Sequence, residues 1–376
     1  MKRILFLLTA LLLLPLPAHA ATLTLSAESA LLMEKTTGEI LYIQNEHEQL
    51  PPASVTKVMT RLLVMEAIDR GELALSDTVT ASAYACSMGG SQVYLKEGEQ
   101  MSVEDLLKAV CVASGNDASV ALGEHIAGSA DAFVERMNRR AEELGMQDTH
   151  FVNCTGLPAE GHLTSAHDIA IMSRELILKH PSIRNYTTIW MDSLRGGAFG
   201  LSNTNKLIRF YEGATGLKTG STDAARYCIS ATAERDGMEL IAVVLKAPTS
   251  QQRFDDAKVL LNYGFAAYAL HSVTPDAPLA PVPVTLGEAQ SVTISPPSRA
   301  ILLKKSDLSD LRQEISLPES VPAPVEQGEQ LGTLSLYAGE TLLEEIPLTA
   351  AETVAALTWQ GMLLRLWRFG LYAPLR

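Results

Sequence analysis

The sequence predicts a larger α+β domain followed by a smaller all-β domain. Within residues 21–270, strand-like patterns stand at both ends and helical patterns fill the middle, an order that is typical of α+β folds and not of alternating βαβ units. After about residue 271, short alternating runs are separated by glycine and proline. We therefore expect domains at 21–270 and 277–350.

The first domain begins with a predicted β-hairpin and a helix. Apolar runs at 30–33 and 40–43 flank the turn-like segment 36–38. Pro51-Pro52 then interrupts the chain before apolar residues with helical spacing. These residues predict a helix from 54 to about 68.

Helical periodicity dominates the centre of the chain, from about 103 to 178. Strand-like runs at 227–233 and 240–245 follow, and Asp236-Gly237 between them is typical of a tight hairpin turn. A last helix is predicted at 254–265. The first domain thus contains two hairpins and an intervening group of helices.

The second domain is predicted from short alternating runs at 291–294, 315–317 and 334–337. The tail, residues 353–376, differs from this domain, because it contains no acidic residue and includes two tryptophans. We expect this tail to form an amphipathic helix.

On a helical wheel of the tail, Trp359 and Trp367 share a broad apolar face, and Arg365 and Arg368 lie opposite. Such a helix is suited to a membrane surface, and it is too short and too charged to span the bilayer. The alternative is a helix that packs on its own domain.

The first 20 residues have the pattern of a secretory signal peptide. Lys2 and Arg3 precede an apolar run at 4–14, and Ala18-His19-Ala20 supplies the small residues of a cleavage site. The run is too short for a membrane span. We expect an exported protein that begins near Ala21.

Charge and motif content exclude several classes of function. The formal net charge of −13 disfavours a nucleic-acid partner, because phosphate binding needs a basic surface. His162 and His167 lie close in sequence, but the H-E-x-x-H pattern of zinc peptidases is absent. We therefore expect no metal and no cofactor, and we interpret both histidines as structural.

The four cysteines, Cys86, Cys111, Cys154 and Cys228, include no CxxC pair. In an exported protein they could form disulfides, whose connectivity the spacing does not give. Buried thiols are the equal alternative.

Ser54 and Lys57 are the first candidate catalytic pair. Residues three apart at the start of a helix share a face, so the hydroxyl and the amine are expected to be neighbours. A serine becomes a nucleophile when a base takes its proton, and a lysine can be that base if its pKa is lowered. Alone, this S-x-x-K pattern is weak.

Two further patterns follow in order. Ser114-Gly115-Asn116 lies between two helical stretches, and Lys218-Thr219-Gly220 precedes the strand at 227. The second of these is not a phosphate-binding loop, because the lysine does not follow a glycine. Taken alone, the first pattern would by default be a capping or turn serine, and the alternative for the second is a solvated lysine at the end of a strand.

Together, the three patterns resemble the signature of penicillin-recognising serine enzymes. Residues 52–60 and 216–222 closely resemble the active-site segments of the low-molecular-weight penicillin-binding proteins, the D-alanyl-D-alanine carboxypeptidases of peptidase family S11. Residues 248–253 resemble their arginine-bearing segment. The likeness is strong over 21–265 and looser over the β domain and tail.

The resemblance implies a fold like that of β-lactamases and transpeptidases, in which an antiparallel sheet is flanked by a helical cluster. It also implies that Ser54 attacks the bond between two D-alanines at the end of a peptidoglycan stem peptide. Lys57 would be the base and Ser114 a proton relay. β-Lactam antibiotics would acylate the same serine.

The resemblance also implies the substrate-binding residues. Asn116 would hold the acyl peptide, and Lys218 would lower the pKa of Lys57. Thr219 and Arg253 would bind the terminal carboxylate. Two further residues complete the predicted set. Gly220 belongs to the same motif as Lys218, and the backbone N–H of Ser221 would form an oxyanion hole with that of Ser54.

Two positions depart from the family pattern, and three rival functions remain. Thr215 stands where aspartate is frequent, and Ser221 where some members have histidine. A class A β-lactamase would need an E-x-x-L-N segment, which is absent between 116 and 218. A D,D-endopeptidase would not need Arg253, and a non-catalytic wall-binding protein would not need the intact motifs.

Overall fold

The computed structural model describes residues 23–297 and 299–372, so the predicted signal peptide lies outside it. The strands are, in chain order, β1 (Ser29–Glu34), β2 (Ile40–Gln44), β3 (Thr78–Thr80), β4 (Gln100–Ser102), β5 (Met191–Leu194), β6 (Phe199–Ser202), β7 (Ala214–Thr222), β8 (Arg226–Arg235), β9 (Met238–Ala247), β10 (Tyr268–Val273), β11 (Val282–Thr285), β12 (Ser291–Val292), β13 (Ile294–Ser295), β14 (Arg299–Lys304), β15 (Leu311–Ser316), β16 (Val321–Pro322), β17 (Gln330–Ala338) and β18 (Thr341–Ala350).

The α-helices are, in the same order, α1 (Lys57–Asp69), α2 (Ala83–Cys86), α3 (Val103–Lys108), α4 (Asn116–Ala127), α5 (Ala130–Glu143), α6 (Ala166–Lys179), α7 (Arg184–Thr187), α8 (Leu207–Phe210), α9 (Ser250–Ala267) and α10 (Trp359–Tyr372). A 3₁₀ turn at Ala53–Thr56 and a π-helical turn at Ala109–Ala113 flank two of them.

A five-stranded antiparallel sheet in the order β2-β1-β9-β8-β7 forms the centre of the first domain. It confirms both predicted hairpins. Asp236 and Gly237 at the β8–β9 turn have φ values of 50° and 77°, as a tight hairpin of this kind requires. Strand β7 lies at one edge, and among the described residues no strand pairs with its outer side.

Helices cover both faces of the sheet. Side chains alternate along β1, so Leu31 packs into the helical cluster on one face and Leu32 packs with α9 on the other. Because all six residues of β1 are buried, the strand lies in the middle of a three-layer structure. The predicted α+β architecture is confirmed.

Two predicted helical stretches need correction. The α-helix begins at Lys57 and not at residue 54, because residues 53–56 form a 3₁₀ turn in which Ala53 has a φ of 49°. The stretch from 103 to 178 is helical only to Glu143 and again from Ala166. A loop with glycines at 156 and 161 separates these helices, because each of these glycines has a positive φ that a helix does not allow.

The second domain packs strands β11–β18 around its own apolar core. The predicted run at 334–337 lies wholly within β17, whereas 315–317 is a strand only to Ser316 and 291–294 is divided between β12 and β13. Strand β10 pairs with β14, which joins the end of the first domain to the second.

A tail helix is present, but α10 begins at Trp359 and not at residue 353, because Val354 and Ala356 form β-bridges with the second domain. Its aromatic residues Trp359 and Trp367 are exposed. Arg365 donates a hydrogen bond to the Glu288 carbonyl, so the helix also contacts the β domain. In the part of the chain that the structure describes, no helix has the length and apolarity to cross a membrane.

Candidate active site

The start of α1 places Ser54 beside Lys57. The 3₁₀ turn carries Ser54, and Lys57 is the first residue of the α-helix that follows. The Lys57 amine lies 3.1 Å from the Ser54 hydroxyl oxygen. The pair that the sequence predicts is therefore within hydrogen-bonding distance.

Lys57 is fully buried, and burial lowers the pKa of its amine to about 7. Its Nζ also lies 2.5 Å from Asn116 Oδ1 and 2.7 Å from the Thr155 carbonyl oxygen. Both of these oxygens can only accept hydrogen bonds. A neutral amine that donates its two protons to them directs its lone pair toward Ser54, which is the arrangement a general base needs.

After burial, the charged neighbour that lowers the pKa of Lys57 is Arg61. The sequence led us to expect that Lys218 has this role. Lys218 is itself buried, and burial, Arg61 and Lys57 together hold the pKa of its amine well below the usual value. Desolvation of an ammonium group thus dominates at both lysines.

Ser114 lines the same cleft as Ser54 and Lys218. It ends the π-helical turn with a φ of 63°, and its buried hydroxyl has no hydrogen-bond partner among the described residues. Asn116 Nδ2 donates to the Gly89 carbonyl at 2.6 Å. Because the Asn116 amide already bonds to Lys57 and Gly89, its contact with a substrate stays a prediction.

Strand β7 approaches the nucleophile closely at Gly220. A Cβ atom at this position would lie 2.8 Å from the Ser54 backbone nitrogen and 2.9 Å from the Pro52 carbonyl oxygen. Glycine therefore allows β7 to lie against the 3₁₀ turn. The same contact sets the Ser54 N–H next to the part of β7 that bears Ser221.

Arg253, in the first turn of α9, reaches the cleft from behind the sheet. Its guanidinium donates to the Gly220 carbonyl at 3.1 Å and to the Ser250 hydroxyl at 3.2 Å. Burial lowers its pKa to about 10, so it is charged at neutral pH. Nearby, Thr219 donates from its hydroxyl to Thr204 at 2.7 Å.

The predicted residues converge on one cleft of about 140 Å³. It is lined by Ser54, Ser91, Ser114, Thr204, Lys218, Thr219, Gly220, Ser221 and Arg253. Lys57 lies beneath this lining and contacts it through Ser54. Asn116 bonds to Lys57, and its backbone N–H donates to the carbonyl of Ser91 in the lining. Every residue that the sequence analysis assigned to the site is thus within the cleft or directly behind it.

Four contributors were missed by the sequence analysis: Arg61, Thr155, Ser91 and Thr204. Arg61 is fully buried and donates to the carbonyls of Leu217 and Val110, which ties α1 to β7 and to the Ser114 turn. A charged residue among the apolar positions of a helix was a usable signal for it. The other three residues gave no such signal in the sequence. Thr155 in particular acts through its backbone carbonyl.

All four cysteines are free thiols and form no disulfide with one another. Burial raises the pKa of Cys154 to about 12 and that of Cys228 to about 11, so both stay protonated.

His162 is structural, as predicted, since it bonds to the Thr56 hydroxyl and to the Val152 N–H. Burial lowers its pKa to about 4.

Thr215, which departs from the family pattern, faces a buried carboxylate. Its hydroxyl donates to Glu239 at 2.6 Å, and Glu239 also pairs with Lys35 and Arg184. A threonine donor suits this position, because an aspartate would place a second carboxylate beside Glu239.

Comparison with known proteins identifies relatives over both domains. A family model described as D-alanyl-D-alanine carboxypeptidase matches residues 17–249, and one described as the C-terminal domain of penicillin-binding protein 5 matches 271–356. The D-alanyl-D-alanine carboxypeptidase DacF of Bacillus subtilis is 44% identical over 332 residues, which is 87% of this chain and 85% of that protein.

Solved structures of penicillin-binding proteins are also similar to this chain. Penicillin-binding protein 5 from Haemophilus influenzae has a TM-score of 0.79 at 29% identity and covers 88% of this chain and 98% of its own. Penicillin-binding protein D2 from Listeria monocytogenes, in an ampicillin-bound form, has a TM-score of 0.60 at 37% identity and covers 65% of this chain and 99% of its own.

Proposed function

This chain belongs to the D-alanyl-D-alanine carboxypeptidase family, and on that premise we propose that it removes the terminal D-alanine from bacterial wall peptides through an acyl-enzyme on Ser54. The observation that carries the proposal is the 3.1 Å contact between Ser54 and a fully buried Lys57. Because burial lowers the pKa of this amine to about 7, a large fraction of it is uncharged at neutral pH and can take the serine proton.

In the acylation step, Ser54 Oγ forms a bond to the carbonyl carbon between the two D-alanines. Its proton passes to Lys57, and the backbone N–H groups of Ser54 and Ser221 stabilise the oxyanion. The C–N bond then breaks, and the leaving amine takes a proton through Ser114, whose hydroxyl has no other described partner.

Deacylation reverses these roles with water as the nucleophile. Lys57 accepts the proton of the attacking water, and the ester bond to Ser54 breaks to return the serine hydroxyl. Among the described residues, Lys57 is the only titratable side chain that hydrogen-bonds to the Ser54 hydroxyl. A β-lactam would form the same ester by opening its ring, which agrees with the ampicillin-bound relative.

Arg253 favours the release of a terminal residue over internal cleavage. Its charged guanidinium lines the cleft beside Thr219, where a free carboxylate could accept hydrogen bonds from both side chains. An endopeptidase substrate has no carboxylate at this place in the chain. This supports the carboxypeptidase reaction over the D,D-endopeptidase alternative.

Export and membrane attachment form a separate part of the proposal. Residues 1–20 would direct export, 21–270 would carry catalysis, and 277–350 would hold the catalytic domain apart from the tail. The tail, 353–376, would lie on the outer face of the bacterial cytoplasmic membrane. The exposure of Trp359 and Trp367 supports this, because the apolar face of the helix is not covered by its own domain.

The enzymatic proposal is tested by D-alanine release from a pentapeptide that ends in D-Ala-D-Ala. The mature protein should release D-alanine, and Ser54→Ala should release none. A wild-type protein that hydrolyses penicillin rapidly but releases no D-alanine would indicate a β-lactamase. A protein that does neither but binds cell walls would indicate a non-catalytic module.

The membrane proposal is tested by sedimentation with anionic lipid vesicles. The mature protein should sediment with them, and a Trp359→Ser, Trp367→Ser variant should not. Phe210→Ser is the matched control, because Phe210 is equally exposed but lies outside the tail. Equal sedimentation of the tail variant and the wild type would contradict membrane attachment.

A further inference from the structure

A second and larger cavity adjoins the cleft at Ser221. Its volume is about 520 Å³, and it is lined by Ser221, Thr222, Asp223, Arg226 and Tyr227. These residues form the end of β7, the turn after it and the start of β8. The reaction steps above use only Ser221 from this group, so the cavity has no role in them.

The direction in which a substrate must lie leads into this cavity. Its terminal carboxylate would be bound near Thr219, and the carbonyl that is attacked would lie at the Ser221 N–H. Strands advance about 3.3 Å per residue. The rest of the peptide therefore continues toward Asp223, antiparallel to β7. The outer edge of β7 has no partner strand in the described part of the chain and can accept one.

This geometry places the residue that precedes D-Ala-D-Ala beside two opposite charges. Asp223 and Arg226 are both exposed, and within residues 23–297 and 299–372 neither side chain has a hydrogen-bond or ion-pair partner. They line the same cavity without neutralising each other. Their charged groups are thus free for a ligand.

Arg226 is also held in an unusual backbone conformation. Its φ of 52° lies in the left-handed region, where glycine is unstrained and other residues are disfavoured. An arginine at this turn is not needed for the fold, because glycine would suit the backbone better. Residues kept in such conformations cluster at ligand-binding sites.

Resting on the function proposed above, we propose that this cavity binds the side chain of the residue that precedes D-Ala-D-Ala, with Arg226 binding a carboxylate and Asp223 an ammonium group. A diaminopimelate side chain ends in both groups. A lysine side chain ends in the ammonium group alone. The structure therefore assigns to this enzyme a preference for diaminopimelate-containing wall peptides.

The test compares two N-acetylated tripeptides, X-D-Ala-D-Ala, in which X is meso-diaminopimelate or lysine. The two differ by one carboxylate. The wild type should have a kcat/KM about fivefold higher for the diaminopimelate peptide, as for an exposed ion pair. Arg226→Gly should reduce this ratio to about one, because the charge is lost.

Glycine at position 226 relieves backbone strain, so loss of the fold does not explain the expected change. Asp236→Gly is the matched control: Asp236 has a φ of 50° in the β8–β9 turn and does not line the cavity. It should keep the wild-type ratio. If wild type and Arg226→Gly are both active with the same ratio, the cavity assignment is wrong and the proposed function stands. If the wild type cleaves neither peptide, both proposals fail.

Discussion

The α-carbon of Gly220 faces the backbone nitrogen of Ser54 so closely that a Cβ atom would lie 2.8 Å from it. Two elements that are distant in sequence, β7 and the turn before α1, thus meet at the point where the oxyanion would be held. Any side chain at 220 separates the Ser221 N–H from the Ser54 N–H.

Gly220→Ala is therefore expected to damage catalysis while leaving the protein folded. Displacement of one oxyanion donor costs a factor of about 10²–10³ in kcat. Gly200→Ala is the control, since a Cβ there meets nothing within 4 Å. Steady-state hydrolysis of a D-Ala-D-Ala peptide checks the result, and equal kcat values for the two variants would refute this role of Gly220.

Acylation should depend on pH through Lys57. Burial lowers the pKa of this amine from 10.5 to about 7, and only the neutral form accepts the serine proton. The rate constant for labelling by a fluorescent penicillin should rise about tenfold per pH unit below 7 and level off above it. Stopped-flow measurements check this, and a rate that still rises steeply at about pH 9 would mean that Lys57 is not the base.

Arg253→Ala should impair recognition of the free carboxylate. An unpaired carboxylate in the cleft should lower kcat/KM by a factor of about 10–10². The same peptide with an amidated carboxyl terminus should be nearly insensitive to the substitution, because it has no charge to bind. Lys258→Ala, on the solvent side of the same helix, is the control. An equal loss for both peptides would argue against a carboxylate clamp.

Thr215→Asp should destabilise the protein, because it replaces a donor to the buried Glu239 with a second carboxylate. The expected loss in the free energy of unfolding is about 1–3 kcal/mol at neutral pH. Thr215→Ser keeps the hydroxyl and serves as the matched control. Urea unfolding measures both, and a Thr215→Asp protein as stable as the control would show that the network accommodates the charge.

Much of the site could be predicted from sequence, because its chemistry resides in side chains that occur in fixed local patterns. Ser54 and Lys57 were found from their three-residue spacing together with the two later motifs, and Asp236-Gly237 predicted the turn between β8 and β9. Contacts made by the backbone could not be predicted in this way. The Thr155 carbonyl holds Lys57 from a loop that was assigned to helical sequence.

The charged cavity beside Ser221 was missed for a related reason. Arg226 and Asp223 are ordinary surface residues in the sequence, and their importance comes from a turn that opens a cavity at the end of β7. The role of Arg61 likewise depends on tertiary contacts, since its guanidinium binds carbonyls of two separate segments. Local patterns contain no information on such contacts.

The most direct test of the account is to identify the residue that penicillin acylates. Protein beginning at Ala21 is incubated with penicillin and digested, and the modified peptide is identified by mass spectrometry. We predict one adduct of the mass of intact penicillin on the peptide that contains Ser54, and none in Ser54→Ala. An adduct on any other residue, or an unmodified wild type, would contradict the assignment of Ser54 as the nucleophile.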